Sequence, residues 1–161
     1  MSKKVLDNYG RVSIYLEQGH PSPVYHVDGQ VPANPYGSLM PLLEDDSLEE
    51  VMYNGGQQCV KVAHREWGIC RTNIWIDDDE GLQIAKNIAA FTNVPLGDGP
   101  GMVPLFDDRL PEGSRVSGLI PPISPDGPTL TVRKFREGPI TMIDLIQWNT
   151  VTSRLAAMMW A

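Results

Sequence analysis

Between Phe106 and Arg136 the chain reads FDDRLPEGSRVSGLIPPISPDGPTLTVRKFR, and this stretch limits the possible folds more than any other. Two runs, Ser114–Ile120 and Thr129–Phe135, are predicted as strands because β-branched and apolar residues alternate with polar ones. Pro121, Pro122, Pro125, Gly127 and Pro128 lie between them. That interval is too rigid for helix and too short to link domains, so the strands should pair within one sheet. Arg109, Arg115, Arg133, Arg136 and Lys134 sit in or beside the strands. In a chain with a formal charge of −7 and a pI near 4.8, such a concentration of cations suggests an anion to be met.

The rest of the 161 residues bounds the answer. The length fits one ordinary domain with an appended arm. A hydrophobic fraction of 42% suffices for a buried core, and no apolar run approaches a membrane span. The start, MSKKVLDNYGRV, has no apolar segment of the kind a secretory signal needs, so a cytoplasmic location is expected. The acidic balance argues against nucleic acid as a partner. Cys59 and Cys70 are too few for a disulfide framework or a four-thiolate zinc site. If Arg65–Gly68 is a hairpin turn, Cys70 falls opposite residue 62 or 63 rather than Cys59, and both thiols should be free.

In chain order, residues 1–37 are polar and broken by glycine and proline, and are expected to form an extended arm. Within it Val12–Leu16 and Val24–Val27 are short strands, the second an edge at best because of Pro21 and Pro23. Ser38 is the expected cap of a short helix containing Leu39, Met40, Leu42 and Leu43. Glu50–Asn54 is a strand closed by Asn54-Gly55-Gly56. Cys59–His64 and Ile69–Ile76 form a hairpin, with Val60, Val62 and His64 on one face. Asp77–Glu80 begin a helix that runs to about Thr92, with Ile84, Ile88 and Phe91 as its inward stripe, widened by Leu82 and Ala85. Residues 94–103 are loop. After Pro139 a helix capped by Thr141 breaks near Asn149, and a second helix starts near Thr152. That helix reaches Ala161 without a stop signal, so the chain is expected to be the front portion of a longer protein. The fold class is α+β, a mostly antiparallel sheet with helices on one side.

No catalytic or metal constellation stands out. A phosphate-binding loop needs a Gly-Lys pair, and none occurs, so this chain by itself should not hydrolyse ATP. The Gly97–Gly101 cluster reads as a turn. Asp77–Glu80 lack calcium-loop spacing and read as a charged helix start. His20, His26 and His64 have no partners at metal-ligand spacing and read as surface or hydrogen-bonded histidines. The arginines taken alone could be a solvated sheet edge that discourages aggregation.

A resemblance shifts that balance. Asp107, Arg109, Leu110, Pro111, Gly113, Ser114, Arg115 and Val116, then Ile120-Pro121-Pro122, then Asp126 through Phe135, form a pattern similar to the N-terminal domain of the type II/type IV secretion ATPases. These are the motors of secretion systems, pili and archaella. Pro139–Ile146 continues the match, and Leu48–Gly55 and His64–Ile74 resemble the archaeal branch. The likeness covers residues 38–161. It implies a domain at 38–138, linker helices at 139–161 leading to an absent RecA-like motor domain, and a hexameric parent docked on a membrane platform protein. It also implies that ATP and Mg²⁺ belong to the full-length protein, and that Arg109, Arg115 and Arg133 reach the ATP phosphates. The rival class is a free-standing, non-catalytic adaptor or small-ligand binding module. A stand-alone hydrolase is the weakest reading. A phosphate-binding loop encoded downstream of Ala161 would favour the motor, and a stop codon the adaptor.

Overall fold

A computed structural model describes residues 3–29, 34–56, 58–135, 138 and 140–160. Among them nine strands form one sheet. They are β1 (Lys3–Tyr9), β2 (Val12–Glu17), β3 (Val24–Val27), β4 (Leu48–Tyr53), β5 (Cys59–His64), β6 (Gly68–Trp75), β7 (Leu105–Arg109), β8 (Arg115–Leu119) and β9 (Thr129–Arg133). The order is β1-β2-β3-β6-β5-β4-β9-β8-β7. Every neighbouring pair is antiparallel except β3 with β6. A 3-10 turn (Gly37–Leu39) and helices α1 (Met40–Glu44), α2 (Asp78–Phe91), α3 (Met142–Gln147) and α4 (Ser153–Trp160) complete the α+β fold.

Period-two alternation gives the sheet two unlike faces. Val60, Val62 and His64 of β5 are buried, as their spacing predicts, and so are Leu130 and Val132 of β9. These side chains meet Leu39, Leu42, Ile84, Ala85 and Ile88 from the 3-10 turn and helices in a single core. Fully burying one such aliphatic side chain contributes about 1.5–3 kcal/mol. The opposite face of the sheet carries the charged residues.

Helix α2 begins where the acidic run predicts. The Asp77 carboxylate accepts from the Glu80 backbone N–H at 2.8 Å, and three acidic residues fill the first turn. Its inward stripe is Gly81, Ile84, Ala85, Ile88 and Ala89. Phe91, expected in that stripe, is instead exposed and stacks on Tyr36, because the helix turns it past the edge of the core. Gly81 lets the helix close on β4, since a Cβ there would stand 2.5 Å from the Tyr53 ring. The Tyr53 hydroxyl then donates to the Asp77 carbonyl and Asp78 carboxylate, each at 3.3 Å.

Other local readings change in the folded chain. The segment read as an arm continues the sheet through β1, β2 and β3. β3 is an interior strand and not an edge, pairing with β2 on one side and β6 on the other. Its prolines precede the strand, and the Pro23 carbonyl accepts from Arg71 N–H at 2.9 Å. Ser38 does not cap α1. Its hydroxyl donates to Glu80 at 2.7 Å, and Leu39 occupies the cap position without a side-chain bond. Thr141 and Asp144 form the expected capping box of α3. Cys70 lies opposite Val62, whereas Cys59 lies opposite Trp75, five residues further along β6, so the two thiols do not meet.

Candidate functional site

The three strands β7, β8 and β9 align their arginines in one row. Arg109 pairs with Arg115, Arg115 with Arg133, and Arg133 with Glu50 of β4. The same alternation that buries Phe106, Val116 and Val132 sends these side chains to the open face. Adjacent strands lie about 4.8 Å apart, so the outer two arginines start roughly 10 Å from one another and long side chains can converge on one ligand. Arg109 is the last residue of β7. β7 was not legible in the sequence because Asp107 and Asp108 interrupt its apolar pattern.

Two close contacts tie the strands of the row together. Gly118 leaves room for the Phe106 ring, whose nearest atom would be 2.4 Å from an added Cβ. Ser114, buried at the start of β8, accepts from the Phe135 backbone N–H at 3.1 Å. Between β8 and β9 the Pro121–Pro122 bond is cis, and the proline-rich turn lies against α2 around Asp78 and Leu82.

The arginines differ in their electrostatics. Arg115 donates to both carboxylate oxygens of Asp107, from Nε at 3.0 Å and Nη2 at 2.7 Å. These bonds hold the Asp107 carboxyl below its ordinary pKa and raise that of Arg115. Among the described residues, neither Arg109 nor Arg133 has a carboxylate partner. Lys134 points to the other face, as alternation predicts. Its side chain is only 9% exposed, and Nζ donates to the Asp45 carbonyl at 2.6 Å. Burial pushes the Lys134 pKa down, opposed by the nearby charges of Asp46 and Asp45. Arg136 lies outside the described residues.

Arg133 borders a hollow of about 410 Å³ lined by Glu49, Glu50, Ala63, Arg65, Lys134 and Ile140. Arg65 lies in the turn after β5, beyond the residues whose facing is fixed by strand alternation, so no spacing in the sequence points to it.

The remaining candidates have structural partners. Glu80 accepts from Ser38 and Asp78 from Tyr53, which accounts for two residues of the acidic run. Among the described residues no cluster of three or more His, Cys, Asp or Glu side chains is placed to hold a metal ion. The Gly97–Gly101 segment is a turn closed by Met102 N–H to the Gly99 carbonyl at 3.0 Å. His26 is partly exposed beside Asp28. His64 is buried, with Nδ1 accepting from Glu66 and Trp67 N–H groups and Nε2 facing the Tyr9 hydroxyl at 3.3 Å. Tyr9 and Tyr25 both donate to Asp45. Burial raises the Tyr9 pKa to about 12 and pushes Tyr25 up as well. Burial alone would raise the Asp45 carboxyl, but donors from Tyr25, Ser47 and Tyr9 outweigh it and hold it below its usual value. This network joins β1, β3, β5 and the turn before β4, and no spacing rule would reveal it.

Fold and site together define an α+β domain with one helix-covered face and one open face that carries an arginine row. Among solved structures it resembles the VirB11 ATPase of the Brucella suis type IV secretion system, solved in complex with sulphate. The TM-score is 0.55 and the identity 22%, over 71% of this chain and 33% of that one, so the likeness is one of fold. Two uncharacterized proteins of Methanocaldococcus jannaschii are similar in sequence. MJ0781 is 44% identical over 124 residues and MJ0900 is 36% identical over 126, each match covering 77% of this chain. The chain spans only 17% and 22% of the lengths of these two relatives. No family model matches the chain.

Proposed function

We propose that this chain is the N-terminal domain of a secretion-type motor ATPase. It would cap a nucleotide held by a RecA-like domain and supply guanidinium groups to the phosphates. The observation that carries this reading is the register of Arg109, Arg115 and Arg133 on adjacent strands of the open face. A guanidinium fork matches phosphate oxygens and keeps its charge at any working pH. In phosphoryl transfer, arginines placed around the transferred group stabilise the charge that spreads over its oxygens. The fold likeness to VirB11 supports the same reading.

In this reading the parent protein is a hexamer, cytoplasmic and docked on a membrane platform protein, and it couples ATP hydrolysis to protein export or filament assembly. ATP and Mg²⁺ are held mainly by the motor domain, because the row offers donors for phosphate but no phosphate-binding loop. Helices α3 and α4 would bridge to that domain. Their exposed Ile143, Leu155, Met158, Met159 and Trp160 support a role against further protein surface. Among the described residues no helix is long and apolar enough to cross a membrane.

The test is steady-state ATP turnover by the longer protein that carries this domain. Arg109→Ala, Arg115→Ala and Arg133→Ala should each cut kcat, by up to about 10³-fold for the residue nearest the transferred group. Arg71→Ala is the control, because Arg71 on the same sheet is paired with Glu17 at 3.3 Å. Wild-type turnover in all three row variants would refute the assignment.

A further inference from the structure

Resting on the reading that the row meets phosphates, we infer that the phosphate seat extends past Arg133 to Arg65, with Glu49 as the anion that competes for it. Glu50 pairs with Arg133 on one side and Ala63 on the other. Arg65, in the turn just after β5, lines the same hollow as Arg133.

The Arg65 guanidinium is held at its base. Nε donates to the Asp46 carbonyl at 2.8 Å, and the side chain is 32% exposed. That anchor occupies Nε and leaves the terminal nitrogens for other acceptors. Nη1 reaches Glu49 at 3.4 Å. A strong bond between opposite charges of this kind is about 2.7–2.9 Å, so this contact is loose and a better acceptor can displace it. Lys134 also lines the hollow, but its Nζ is committed to the Asp45 carbonyl. The anion-accepting groups are thus Arg133 and Arg65.

Lys134 directs its ammonium to Asp45 and Asp46, so the charges left in the lining are Arg65 and Arg133 against Glu49 and Glu50, two positive and two negative. Such a hollow takes a phosphate through directed guanidinium bonds but does not retain it tightly. A clamp that must close on the terminal phosphates of a nucleoside triphosphate and reopen each cycle needs that balance. The neighbouring carboxylates stabilise the arginines while the seat is empty, and phosphate oxygens replace them on closure. Arg65 is a specificity-determining residue of the seat, and Glu49 sets how readily the seat fills.

The experiment titrates the 161-residue chain with inorganic pyrophosphate at low salt while following the arginine Nε–Hε resonances by NMR. Arg65 and Arg133 signals should move along one binding curve, and Arg71 should stay in place. Arg65→Ala should weaken binding about tenfold, Arg65→Lys should weaken it less, and Glu49→Gln should tighten it several-fold. An unchanged amide spectrum in Arg65→Lys and Glu49→Gln separates these effects from folding. An Arg65 signal that does not move, with Arg65→Ala binding as wild type while Arg133→Ala loses affinity, overturns the extension and leaves the row intact. Unchanged affinity in Arg65→Ala, Arg109→Ala, Arg115→Ala and Arg133→Ala alike, or no saturable binding by the wild type, overturns the row with it.

Discussion

Asp107 grips Arg115 by both carboxylate oxygens, at 3.0 and 2.7 Å, while Arg115's in-register neighbours Arg109 and Arg133 have no carboxylate partner among the described residues. The middle guanidinium of the row is thus neutralised by its own carboxylate neighbour. Asp107 and Ser117 face each other across β7 and β8, so the carboxylate reaches Arg115 diagonally within the same face.

Asp107→Asn should release Arg115 with little change in the urea midpoint, because the pair is solvent-exposed and screened by salt. Affinity for inorganic pyrophosphate should rise, and the gain should shrink as salt increases. Calorimetric titration at two ionic strengths checks both parts.

Tyr25→Phe should destabilise the domain by about 1–3 kcal/mol, because Asp45 loses a buried hydrogen-bond donor. The pH dependence follows from the shifts. Asp45 has a folded pKa below its unfolded value, so its contribution is present above about pH 4 and lost as pH falls through the lower folded value. Tyr9 is raised from 10.0 to about 12, so its contribution is present below pH 10 and lost as pH climbs toward 12. Urea midpoints from pH 3 to 11 should show both shoulders, and the acid one should flatten in Tyr25→Phe.

Gly81→Ala sets two effects against each other. Alanine favours helix by about 1 kcal/mol, but a Cβ placed 2.5 Å from the Tyr53 ring must push the helix or the ring aside. Overpacking of this kind costs about 1–3 kcal/mol, so the net change should be destabilising. Tyr53→Leu in the same background should relieve part of the loss. A double-mutant cycle by chemical denaturation reads the coupling.

Thiol labelling should separate the cysteines. Cys70 is fully buried, and burial pushes its thiol up to about 11, whereas Cys59 is half-buried on the opposite face. At pH 8, one thiol per chain should react quickly with an aromatic disulfide reagent, and the second only in denaturant. Peptide mapping should place the fast site at Cys59.

Periodicity made much of the fold legible. The alternation of β5, β8 and β9, the acidic start of α2 and the capping box of α3 are local signals, because each depends on residues a few positions apart. The same alternation sends the adjacent residues Arg133 and Lys134 to opposite faces. β1 and β7 escaped because a bulge between Val5 and Asp7 and the pair Asp107–Asp108 break the pattern that periodicity relies on. β3 looked like an edge because prolines flank it, although they end before its ladder begins.

The sequence by itself determined the two-faced strands, the cation-rich hairpin and the absence of a phosphate-binding loop between residues 1 and 161. Only the tertiary structure decided that Arg109, Arg115 and Arg133 stand in one row, that Arg65 joins them from the turn after β5, and that Lys134 turns away to hold Asp45. Which face a side chain takes follows from its neighbours in the chain. Which strands lie side by side depends on burial and hydrogen bonding between segments far apart in sequence, and a linear pattern carries no record of that pairing.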